Sequence, residues 1–134
     1  MTAMTQARQP VEMEGIYSSA PVKGATTILQ GALTVMEAGL AIPGKTGLNL
    51  TTLGVCDRTV KNAGADGAEK VLAKRTVAKF FNLGADAILP GDVGKDCYIV
   101  DDQTVAKTNG TNTRSVAGKI IQVDSDGVFV RVGY

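Results

Sequence analysis

A chain of 134 residues with 14 basic and 13 acidic side chains carries a formal charge of +1, which suits a single domain and leaves no basic excess for a counterion-releasing nucleic-acid surface. It contains no histidine, which removes Ser-His-Asp and Cys-His nucleophile systems, histidine-ligated zinc and the usual proton shuttle near neutral pH. Alanine, glycine, valine and threonine (16, 16, 15 and 14 residues) outweigh six aromatics, so any core must be built from small side chains.

No apolar run approaches the ~20 residues needed to cross a bilayer as a helix, so no membrane partner is expected. Met1–Glu14 has no apolar stretch of the secretory kind and contains Arg8, Glu12 and Glu14, so the chain is expected to be made and kept in a reducing cytoplasm. Cys56 and Cys97 are 41 positions apart with no CxxC pairing, which excludes a zinc ribbon or a thioredoxin-type site. Buried thiols acting as small hydrophobes are expected, since a disulfide between them would require an oxidising compartment. No cofactor, metal or catalytic set is expected.

In chain order, residues 1–27 mix Pro10, Gly15, Pro21 and Gly24 with apolar residues that keep neither a helical nor a strand period. They read as an extended N-terminal arm, with residues 28–134 forming the folded β domain. Val11, Met13, Ile16 and Tyr17 give the arm a docking character that a disordered tail lacks, and they are the candidate interface residues. From Ile28 onward, short β-favouring runs alternate with glycine-rich turns. Leu53–Val60 reads as strand. Glu69–Phe81 admits either a helix of two to three turns or strand, with strand favoured on Thr-Val-Ala-Lys-Phe. Asn62–Gly67 lies between them as a turn.

The last fifty residues are the most legible. Ile88–Gly94 reads as a rigid turn leading to a strand at Asp96–Val100, which reverses at Asp101-Asp102 into Thr104–Lys107. Asn109-Gly110 marks another turn. Val116–Val123 and Val128–Val132 then form a hairpin through Asp124-Ser125-Asp126-Gly127, with Val128, Val130 and Val132 on one face and Phe129 and Arg131 on the other. The fold class that follows is all-β, a small barrel or sandwich with an extended N-terminal arm.

Several motifs have plainer readings beside them. Gly39–Thr46 satisfies the phosphate-loop pattern GxxxxGK[ST], but Gly47-Leu-Asn-Leu-Thr-Thr-Leu-Gly54 is a poor helix, and a phosphate loop must open one. A surface loop is expected there. Asp124–Gly127 begins like a calcium loop, yet the chain ends before a closing glutamate could occur. Asp101 and Asp102 are consecutive, so on a strand they diverge to opposite faces and cannot share a proton. Asn49 and Asn109 open glycosylation-type triplets, which carry meaning only in a eukaryotic secretory route.

The stretches Ile88–Lys107 (ILPGDVGKDCYIVDDQTVAK), Val116–Lys119 (VAGK) and Val123–Val132 (VDSDGVFVRV), and more loosely Gly31–Pro43 and Leu53–Asp57, resemble capsid cement (head decoration) proteins of tailed bacteriophages over about Gly31–Val132. The resemblance implies a non-enzymatic structural protein, made in the bacterial host cytoplasm. It would sit on the outer surface of the virion as a homotrimer and clamp adjacent capsomers of the major capsid protein against internal DNA pressure, without touching nucleic acid. Other expectations that stay open are a tail or head-completion component, a nucleotide-binding protein using Gly39–Thr46, and a free-standing ligand-binding barrel. The arm matches no family pattern. Its assignment as the segment that grips the capsid or an adjacent subunit, by adding a strand to an open sheet edge, rests on physical reasoning alone.

Overall fold

The computed structural model describes residues 2–134; Met1, the first residue of the expected arm, lies outside the described residues. The strands are β1 (Tyr17–Pro21), β2 (Thr26–Ile28), β3 (Leu33–Glu37), β4 (Leu40–Pro43), β5 (Thr51–Cys56), β6 (Val60–Asn62), β7 (Lys70–Lys74), β8 (Thr76–Asn82), β9 (Asp96–Ile99), β10 (Thr104–Ala106), β11 (Val116–Asp124) and β12 (Gly127–Val132). Single 3-10 turns occupy Gly84–Asp86 and Pro90–Asp92. The expected all-β fold is the one the chain adopts.

Two β assemblies hold ten of the twelve strands. A five-stranded sheet has the order β1-β7-β5-β3-β4, and a closed barrel runs β10-β8-β12-β11-β9, with β2 and β6 forming a separate pair. The assemblies share a layer. Period-two alternation turns Leu33, Val35 and Ile42 toward the barrel core, where they meet Phe80, Ile99, Val105, Ile120, Val128, Val130 and Val132. Met36 and Ala41 of the same strands pack on a second, smaller core of Ala20, Val22, Ile28, Ala32, Cys56 and Val71. Thr34, the polar member of this doubly buried strand, is satisfied by donating its hydroxyl to the Ala32 carbonyl at 3.2 Å.

The hairpin read from Val116–Val132 is present, with Asp124 opposite Gly127, a two-residue Ser125-Asp126 loop, and Val128, Val130 and Val132 fully buried. Glu69–Phe81 resolves into two strands, β7 and β8, broken at Arg75. Leu53–Val60 is likewise not one strand: β5 ends at Cys56, and a bend at Asp57-Arg58 separates it from β6.

The arm is shorter than residues 1–27. Tyr17–Pro21 pairs antiparallel with β7 over five residues, Thr26–Ile28 pairs with β6, and Ala20 and Val22 are buried in the smaller core. The boundary shifts to about residue 16 because strand pairing with a segment fifty residues away supplies the order, and no local period announces it.

Removing part of the shared layer should be costly. Leu33→Ala is expected to lower unfolding free energy in urea by about 2–5 kcal/mol, as buried leucine truncations do, whereas the exposed Leu72→Ala should stay within about 0.5 kcal/mol.

Candidate interaction surface

The arm is fastened at one point. The Arg75 backbone N–H donates to the Ile16 carbonyl at 2.7 Å, and its guanidinium donates to the Gly15 carbonyl at 3.0 Å, at a turn formed by Gly15 and Ile16. Tyr17 then enters β1 opposite Lys74, whose ammonium sits 5.8 Å from the ring centroid. Exposure falls along the four candidate residues toward this anchor: Val11 101%, Met13 75%, Ile16 43% and Tyr17 37%. The structure therefore does not bring them together as one cluster. Val11 and Met13 stand free in solvent, while Ile16 and Tyr17 belong to the root of the arm. Arg75, which holds that root, was not singled out from the sequence. Its only signal there is a charged residue between two β-favouring runs.

The crossover at Arg75 depends on close backbone approach. A Cβ on Gly54 would lie 2.5 Å from the Lys74 carbonyl oxygen, and one on Gly133 would lie 2.6 Å from the Leu53 oxygen. Both glycines also have positive φ, at 149° and 86°.

Beyond the crossover, β8 has one paired and one open edge. It pairs with β12 from Thr76↔Val132 to Phe80↔Val128, and the Phe80 carbonyl lies on that side, close against Gly127. On the other edge, Arg75 N–H reaches Ile16 and Phe81 N–H reaches Gln103 of the turn into β10. Strand alternation directs the N–H and C=O groups of Val77 and Lys79 to that same edge, where among the described residues neither makes a backbone hydrogen bond. A hollow of about 380 Å³, lined by Gly31, Lys79, Phe80, Phe81, Gln103 and Asp126, lies at the second half of β8.

The phosphate-loop letters fold into something else. Ala38 and Gly39, with φ of 51° and 84°, form the two-residue hairpin turn between β3 and β4, and Leu40–Pro43 is β4 itself. Lys45 pairs with Glu37 at 2.9 Å and bridges to Asp101, while the Thr46 hydroxyl donates to the Val100 carbonyl at 2.8 Å. Bends, not a helix, follow as far as β5, so this segment is a seam between the two assemblies. Asp101 accepts the Gln103 N–H at 2.9 Å as a turn residue. Among the described residues there is no group of three or more Cys, Asp or Glu placed to hold a metal.

The carboxylates with altered affinity for protons serve turns. Asp92 accepts the Leu89 N–H at 2.8 Å and lies near Lys107 and Lys95, which together hold its carboxyl below the usual range despite burial. Asp86 is lowered first by the Thr108 hydroxyl, at 2.6 Å, then by the Thr108 N–H and Arg114. Lys79, bound by Asp126 and near Asp124, is raised. Burial pushes the Cys56 thiol up, and that of Cys97 up to about 12; both are free and lie in different cores.

Two outcomes follow. A carboxylate with lowered folded pKa contributes stability that is complete above its unfolded value, about 4, and is lost as pH falls through the folded value. The stability gap between the native chain and Asp92→Asn in urea should thus be wide at pH 7 and shrink at pH 3. Both thiols should resist an aromatic disulfide reagent at pH 8 in the folded chain and react when it is denatured.

No family model, no curated protein and no solved structure matches this chain.

Proposed function

We propose that this protein is a non-enzymatic structural component of a tailed-phage head, a cement protein on the outer surface of the capsid. There it would act as a homotrimer that clamps adjacent capsomers of the major capsid protein. The observation that carries this reading is the pairing of a rigid body with a solvent-exposed apolar strap. A doubly packed β body ends abruptly at an anchored root, and Val11 and Met13 project beyond it, fully and largely exposed. Apolar side chains held out in water on an extended segment gain free energy only by being covered. The likeness of Gly31–Val132 to cement proteins supports a capsid lattice, with its neighbouring copies, as the setting in which they are covered. Many copies on one lattice make each modest contact sufficient, because every bound neighbour raises the effective concentration of the next.

The distinguishing experiment is imaging of intact particles that carry this gene product, with the native chain and with residues 2–14 deleted. The native chain should coat the outer head surface in hundreds of copies. The deletion should fold normally and lose at least tenfold in occupancy. Particles whose outer shells lack the native chain altogether would overturn the proposal.

A further inference from the structure

We propose that the open edge of β8 receives Val11–Glu14 of a second copy of this chain as an added antiparallel strand. The proposal builds on the arm as the gripping element and names what it grips.

The gap and the arm match in length. The free edge lies between Arg75, already bonded to Ile16, and Phe81, already bonded to Gln103. Continuing the register in which Tyr17 faces Lys74 sets Glu14 against Val77, Met13 against Ala78, Glu12 against Lys79 and Val11 against Phe80. The next residue, Pro10, has no N–H and falls opposite Phe81, where the edge is occupied. A strand added in this register would therefore stop where its acceptor stops.

The faces match as well. Thr76, Ala78 and Phe80 are the inward side of β8, and Val77, Lys79 and Phe81 the outward side. The register lays Val11 and Met13 on the inward side, beside Phe80 and Ala78, and turns Glu12 to the outward face shared with Lys79, whose ammonium is held by Asp126 and Asp124. A shift by one residue would reverse both. Glu12 and Glu14 would exchange backbone hydrogen bonds with Lys79 and Val77, the two residues whose edge groups are free.

The donor is a second molecule because the arm is bent away from its own edge. The Gly15-Ile16 turn, held by the Arg75 guanidinium on the Gly15 carbonyl, leaves Val11 and Met13 fully or largely exposed. A single chain thus presents an unpaired strap and an unpaired edge, and an exchange hinged at Gly15-Ile16 satisfies both.

Directly opposed residues in an antiparallel pair have Cα atoms about 4.5–5.5 Å apart, within range of a disulfide. Purified Met13→Cys chains mixed with Ala78→Cys chains should give a disulfide-linked heterodimer on mild oxidation, with the buried Cys56 and Cys97 silent. Met13→Cys with Lys79→Cys, which places the thiols on opposite faces, should give at least tenfold less. Glu12→Pro, introduced in the Met13→Cys arm where it cannot disturb the folded body, should abolish the cross-link, and Glu12→Gln should retain it. Linkage only within a chain carrying both cysteines would assign the edge to its own arm and overturn the exchange, as would absence of any linkage. Chains that fail to cross-link but still coat heads sink this inference alone; chains that cross-link but never coat heads sink only the capsid assignment.

Discussion

The structure depends on one strand pair that is dry on both faces. β3 and β4 present Leu33, Val35 and Ile42 to the barrel and Met36 and Ala41 to the smaller core, so neither assembly completes its interior without the other. For a chain built largely of alanine, glycine, valine and threonine this matters, because each buried side chain removes little apolar area from water and a small isolated barrel would bury too few of them. Sharing one layer between two cores raises the buried fraction without larger residues. It also fixes the two assemblies as one body, reinforced at the seam where Lys45 and Thr46 reach Asp101 and Val100.

That rigidity has a consequence at Arg75. The strand that leaves the five-stranded sheet as β7 enters the barrel as β8 without an intervening loop, and Gly54 and Gly133 let neighbouring backbones close on the crossover. A continuous strand serving two assemblies acquires different neighbours along its length: β1 beside β7, then nothing over the first half of β8, then β10. The open edge is thus a geometric by-product of joining a sheet to a barrel through one strand. Edges of this kind are normally blunted or covered. Here Lys79 leans the other way, onto Phe129 and the Asp124–Gly127 hairpin, and only the arm root lies at the end of the edge.

Function enters through the contrast between body and arm. Asp86, Asp92 and Asp101 spend their hydrogen-bonding capacity on turn amides and neighbouring side chains, which stiffens the loops of the barrel. Val11 and Met13 of the arm stand exposed to solvent. A body that holds its shape and a strap exposed beyond it are the two features on which the proposed clamping role rests.

The sequence by itself determined what depends on near neighbours in the chain. The Val128–Val132 alternation, the Asp124–Gly127 hairpin, the turn around Asn62–Gly67 and the break near Pro90 all follow from side-chain period and turn chemistry, and these set the all-β class. It also marked Val11, Met13, Ile16 and Tyr17 as apolar residues out of place, of which Ile16 and Tyr17 turn out to be tied to the root. What only the tertiary structure decided depends on partners distant in sequence. Tyr17–Pro21 is a strand because β7 lies beside it, although its own residues carry no period. The phosphate-loop letters are a hairpin because Ala38 and Gly39 both adopt positive φ and Lys45 meets Glu37. The free edge of β8 is invisible in any local window, since an edge is defined by which strands fail to arrive.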